Sequence, residues 1–167
     1  MKEMTKANVQ GAFAGESQAH MKYLAFADVA EKEGFPNVAR LFRAVSFAEQ
    51  AHATAHLRAL DGVADTVQNL GAAIGGETFE VDEMYPAYIA VAKLQSETRA
   101  QVGMERAMDA EKVHAQLYAR AKTSAAGKKD FDLSAIFVCE VCGWTVEGAA
   151  PDKCPLCGAP AARFRKF

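Results

Sequence analysis

Cys139, Cys142, Cys154 and Cys157 are the only cysteines in the chain, and they form two Cys-x-x-Cys knuckles. Four thiolates paired in this way make a tetrahedral site for zinc or iron. In a reducing compartment the pattern points to a metal rather than to disulfides. A glycine follows each second cysteine, in Cys142-Gly143-Trp144 and Cys157-Gly158. Glycine there allows the positive φ that turns backbone N–H groups toward sulfur, which stabilises thiolate charge and tunes reduction potential. The spacing leaves the metal open, because a structural zinc ribbon has the same ligands.

A second set of groups lies upstream. Glu49-Gln50-Ala51-His52 and Glu111-Lys112-Val113-His114 are both Glu-x-x-His, Glu77-Thr78-Phe79-Glu80 is Glu-x-x-Glu, and Glu16 stands alone before them. Residues three apart share one face of a helix, so each pair can reach the same metal. Di-metal carboxylate bundles use a Glu from each of two helices and Glu-x-x-His from each of the other two. Carboxylates can bridge two irons and neutralise their charge, and imidazole adds a neutral nitrogen that borderline metals accept. Without metal, five inward carboxylates would repel one another and have to bind protons. One Glu-x-x-His is more often a solvated face. Two on separate helices, with carboxylates on the other two, outweigh that reading. His56 and His20, one turn beyond His52 and Glu16, read as outer or surface residues. Met21, Phe26, Leu41, Phe42, Phe47 and Met108 read as core.

The elements that must position these groups are four helices, at about 5–33, 37–60, 66–94 and 97–123. Helix-forming residues and apolar periodicity run through them. Gly34-Phe35-Pro36-Asn37 marks a tight turn, Asp61-Gly62-Val63-Ala64-Asp65 a second break, and Ser96 an N-cap. Pro86 should kink the third helix. Residues 1–123 are thus expected as the helical domain, 124–135 as a small polar linker, and 136–167 as a metal-bound β domain. Its short strands are Ala135–Val138 and Trp144–Val146.

Half of the residues are apolar, about a quarter are charged, and the net charge is −2. That balance suits an ordinary globular protein and gives no electrostatic reason to expect nucleic acid or an anionic membrane as partner. The polar start, Met1 to Lys6, does not read as a secretory signal, and no apolar run reaches the ~20 residues of a membrane span. A cytoplasmic location is expected.

Taken together these motifs resemble the rubrerythrin family, a ferritin-like di-iron four-helix bundle followed by a rubredoxin-like domain. Gly15-Glu16-Ser17-Gln18-Ala19-His20-Met21-Lys22-Tyr23 is similar to its first-ligand segment, and Gly76 through Pro86 to its third-helix segment. Cys142-Gly143-Trp144, Gly148, Pro151, Cys154-Pro155-Leu156-Cys157-Gly158 and Phe164 match its rubredoxin part. The segment from Ser96 to Gly103 lacks the family's Glu-Glu-Gly-Phe turn. The resemblance implies Glu16, Glu49, His52, Glu77, Glu80, Glu111 and His114 as ligands of two irons. It places Tyr23 and Tyr85 near the carboxylates as hydrogen-bond donors, and it tips the four-cysteine site toward one iron, with zinc as a possible substitute.

It further implies a peroxidase that reduces hydrogen peroxide to water and protects against oxidative stress, fed by an electron-donating reductase or rubredoxin. A ferrous pair supplies both electrons at once, and a one-electron iron–sulfur relay recharges it. Glu80 would bind the oxidised pair and exchange with a histidine as the redox state changes. The rival readings are a ferroxidase or iron-handling protein, and a non-enzymatic helical bundle with a zinc ribbon.

A homodimer is expected from reach. In a ferritin-like bundle helices two and three run parallel, with Glu49 and Glu77 at one level. At 1.5 Å per residue the connection must climb ~34 Å, whereas its roughly five residues span at most ~17 Å. Either the bundle changes to up-down-up-down topology, or two chains exchange helices. Exchange keeps the family's ligand geometry and is the expected arrangement.

Overall fold

The computed structural model describes residues 1–167 and divides into two compact units, Met1–Ala64 and Asp65–Phe167. The first is a hairpin of α1 (Glu3–Lys32) and α2 (Pro36–Ala59). The turn between them closes α1 with paired bonds, Gly34 N–H to Glu31 O and Phe35 N–H to Ala30 O, and Gly34 has φ +84°. Pro36 opens α2, where its missing N–H costs nothing. Small residues line the seam. Ala27, Ala30, Ala39, Ala53 and Ser46 are buried, so the two backbones approach closely. Ser46 Oγ donates to the His20 carbonyl at 2.9 Å, and His20 Nδ1 lies 2.9 Å from the Ser46 carbonyl. His20 is thereby a structural tie between the helices.

The second unit begins with α3 (Thr66–Phe79), capped by Asp65, whose side chain accepts from Gln68 N–H at 2.8 Å. A π turn over Glu80–Met84 leads into α4 (Tyr85–Leu94), and α5 (Thr98–Ala126) packs against both. A three-stranded antiparallel sheet follows, of β1 (Ile136–Cys139), β2 (Thr145–Glu147) and β3 (Phe164–Lys166), in the order β2-β1-β3. Its core is Cys139, Cys154 and Ala159, with Trp144 edge-on to Phe164. No helix is long and apolar enough to cross a membrane.

Several details depart from the expected ones. The kink expected at Pro86 takes the form of the π turn just before it, because proline supplies no N–H and crowds the carbonyl four residues back. Ser96 is not an N-cap. It takes φ +59° and closes α4, with Ser96 N–H to Lys93 O and Glu97 N–H to Ala92 O, a place glycine usually fills. The last helix runs on to Ala126, carried by helix-forming Ala125 and Ala126. Strand β3 was unforeseen. Met21, Phe26, Leu41 and Phe47, expected in the core, are 47–70 % exposed, because two paired helices cover only one face of each other.

Candidate metal centres

In the first unit α1 carries Glu16, and α2 carries Glu49 and His52 one turn apart. Ligand atoms of the three lie within 4.8 Å of one another. His52 Nδ1 is 3.2 Å from Glu49 Oε2 and 3.8 Å from Glu16 Oε1. The hydrogen bond to Glu49 holds the Glu16 carboxyl above its usual range, and burial and the charge of Glu49 push the same way. Glu49 is held low by hydrogen bonds from Glu16 and His52. His56, read as an outer residue, contributes a charge that opposes the rise at Glu16.

In the second unit α3 supplies Glu77, and α5 supplies Glu111 and His114. These atoms also lie within 4.8 Å of one another. His114 Nδ1 is 2.5 Å from Glu111 Oε2 and 4.0 Å from Glu77 Oε2. Burial first, then the hydrogen bond and charge of Glu111, raise the Glu77 carboxyl to about 7. Glu80 stands outside this three-atom cluster yet feels it, raised by burial and the Glu111 charge and lowered by His114. The phenol of Tyr85 is raised by burial and by the charges of Glu80, Glu111 and Glu77. Tyr23 packs against Phe26 and Phe42, at ring distances of 6.2 and 6.1 Å.

The π turn explains how Tyr85 comes to the carboxylates. Tyr85 N–H bonds to Glu80 O, five residues back. In an unbroken helix Tyr85 would sit about 80° around the axis from Glu77, at ~100° per residue. One wide turn delays everything beyond it by about one residue, which returns Tyr85 to the Glu77 face.

Both clusters fit a hard or borderline cation. Ligand atoms around one ion with bonds near 2.1 Å lie at most about 4.2 Å apart, and every carboxylate–imidazole distance above is within that. The cysteines fit a tetrahedral ion equally well. Cys139 Sγ lies 3.6 Å from Cys157 Sγ and Cys142 Sγ 3.5 Å from Cys154 Sγ, close to the ~3.8 Å edge of a tetrahedron with bonds of ~2.3 Å. Gly143 and Gly158 take φ +79° and +74°, as the knuckles require. Burial opposes ionisation of Cys154, but N–H groups of Cys157 and Leu156 overcome it and bring the thiol down to about 7.

One contributor has no trace in the motifs. Thr145 Oγ1, on β2, lies 2.8 Å from His114 Nε2. The only available hint was a polar residue at an inward strand position beside a knuckle.

Comparison with known proteins gives a consistent picture. Residues 7–122 match the family model described as Rubrerythrin, and 137–165 match the rubrerythrin rubredoxin-like domain. The chain is 35 % identical to Rubrerythrin-2 of Clostridium acetobutylicum, over 98 % of this chain and 97 % of that protein. It is 31 % identical to nigerythrin of Nitratidesulfovibrio vulgaris, over 98 % and 86 %. Among solved structures, mixed-valence nigerythrin is 32 % identical over 98 % of this chain and 86 % of that one, with a TM-score of 0.56. The fully reduced, all-ferrous state of nigerythrin gives 0.55.

Proposed function

The chain belongs to the rubrerythrin family, and we propose that it is a non-haem di-iron peroxidase of the cytoplasm that reduces hydrogen peroxide to water. The observation that carries this reading is the presence, in one chain, of two carboxylate–histidine clusters and a four-thiolate site. Glu16, Glu49, His52, Glu77, Glu111 and His114 would hold two irons, and Cys139, Cys142, Cys154 and Cys157 a third. Iron held by these residues would supply the two reducing equivalents that peroxide needs, and iron at the four cysteines would return them singly from a reductase or a rubredoxin. Two protons are consumed with the two electrons. Glu77, whose carboxyl is raised to about 7 by burial and Glu111 in the metal-free chain, would have to shed its proton to bind iron. Tyr85 keeps its proton, because burial and three carboxylates oppose its loss, and it donates a hydrogen bond to oxygen at the site. The family resemblance assigns Tyr23 on α1 the same task, and Glu80 would serve as an additional carboxylate ligand.

We also propose that the working molecule is a homodimer in which helices are exchanged. From Glu49 to the end of α2 at Ala59 is about 15 Å, and from the start of α3 at Thr66 to Glu77 about 17 Å. The six residues between the helices, 60–65, reach at most about 24 Å, short of the ~32 Å a parallel pair demands. A second copy can supply Glu16, Glu49 and His52 to the ligands on α3 and α5, and it covers apolar faces such as that of Phe47.

Anaerobic turnover with hydrogen peroxide and a reductase-fed donor tests the activity. Glu111→Ala should abolish turnover and leave the red colour of an iron–tetrathiolate centre. Cys139→Ala should lose the colour and retain at most slow turnover from donors that bypass it. Full turnover by Glu111→Ala, or stoichiometric zinc at the cysteines of protein made in iron-rich medium, would sink the scheme.

A further inference from the structure

Strand β2 meets helix α5 through alternate residues. Glu147 holds the Arg120 guanidinium with two bonds, at 2.5 and 3.2 Å, and that guanidinium lies 5.1 Å above the Phe131 ring. Two residues back on the same strand, Thr145 is 6 % exposed and meets His114. Both border a cavity of about 320 Å³ walled by Leu70, Leu117, Phe131 and Ile136, an apolar setting that strengthens a hydrogen bond.

The directions of these bonds are fixed by a shortage of protons. Thr145 has one hydroxyl proton, and it donates to the Gly143 carbonyl at 3.0 Å. Toward His114 the hydroxyl oxygen can therefore only accept, so the imidazole proton sits on Nε2. A neutral imidazole has one N–H, which leaves the lone pair on Nδ1. Nδ1 is the nitrogen that faces Glu111 and Glu77, and its 2.5 Å contact with Glu111 Oε2 holds a shared proton that a bound metal would displace. His52, its counterpart in the first unit, is 57 % exposed, whereas the His114 ring is held from behind.

We propose that Thr145 is a positioning residue for the helical metal centre, its hydroxyl fixing His114 as the tautomer whose Nδ1 is free to bind metal. It rests on the reading of Glu77, Glu111 and His114 as metal ligands. Because the Thr145 proton is committed to Gly143, the residue after Cys142, the orientation of a helical ligand depends on how the cysteine domain of the same chain is seated. An outer partner of this kind governs both the tautomer and the basicity of a ligating histidine.

The test uses the full chain with its four-cysteine centre filled, in wild-type form and as Thr145→Val, Thr145→Ser and Glu111→Ala. Anaerobic Fe(II) binding to the helical centre is measured by dialysis, and imidazole ¹⁵N spectra report the tautomer of His114 before iron is added. The visible spectrum of the iron–tetrathiolate centre reports that the small domain is folded. Valine keeps the shape and loses the hydroxyl. It should bind Fe(II) about 10–100-fold more weakly, the range for lost outer-shell partners, and lose the clean Nε2–H signature. Serine should match wild type in both. Wild-type affinity and tautomer in Thr145→Val would overturn the proposal. So would a serine variant as weak as valine, which would assign the effect to packing of the methyl group. Wild-type affinity in Glu111→Ala would remove the metal reading itself, and this proposal with it.

Discussion

Glu77 carries a proton that metal has to displace. Its carboxyl is raised from 4.5 to about 7, chiefly by burial and then by Glu111. The folded chain therefore binds this proton more tightly than the unfolded chain does. The resulting stability is fully present below about 4.5 and is lost as pH rises through about 7. Chelator-treated protein should melt at a higher temperature at pH 5 than at pH 8, and Glu77→Gln should flatten that difference. A profile unchanged by the substitution would show that another group governs it. Iron affinity should run the opposite way and grow up to neutral pH, since a ligand must shed its proton to bind. At this scale the sequence was informative where ligands lie three apart on one helix. It was silent about Thr145, which meets His114 across 31 positions of chain, a separation over which no periodicity operates.

The elements were legible to the extent that their punctuation was ordinary. Pro36 and Asp65 open helices where proline and a capping carboxylate are expected to, and the knuckle glycines take positive φ. Ser96 misled because the left-handed residue closing a helix is usually Gly, and here Asp61, Ser96 and Lys128 fill that place. Strand β3 was hidden because Phe164-Arg165-Lys166 has the charge of a solvated tail, and it exists only by pairing with β1. A substitution follows from the knuckles. Gly158 has open space around its missing side chain but φ +74°, so Gly158→Ala should cost about 1–2 kcal/mol through backbone strain alone. Thermal bleaching of the red centre is the measurement. An unshifted midpoint would show that the knuckle relaxes freely.

For the whole molecule, the exchanged dimer predicts complementation between defective chains. Glu49→Ala disables the half-site of the first unit and Glu111→Ala that of the second. In a mixed, refolded sample, exchange gathers both defects into one site of each heterodimer and leaves the other site intact. About a quarter of wild-type turnover should return, since random pairing makes half the dimers mixed. A bundle closed within each chain would leave one defect in every site and restore nothing. A second measurement is simpler. Lengthening the connection with about ten Gly/Ser residues after Val63 removes the limit on reach, and a monomer with both irons should then form. Met21, Leu41 and Phe47 were expected in the core and are exposed, because sequence marks a face as apolar without saying whether anything in the chain covers it.

The π turn has a consequence for how this chain can change length. Helix α3, the turn and α4 keep phase only as a set, and between Glu77 and Tyr85 the phase has been set back by one residue. Deleting any one of residues 81–84 would remove the extra residue that the wide turn absorbs and leave Tyr85 seven residues from Glu77 in a regular helix, about 20° short of two full turns and still on the same face. Inserting one residue there, or removing two, would swing Tyr85 about 100° off that face. The stretch after Ala126 holds no such phase, so gains and losses of residues can accumulate there. From Glu77 to Tyr85 the chain can lose one residue and keep its phase but cannot gain one, and Pro86, which crowds the carbonyl four residues back, opposes the regular helix that the loss would leave.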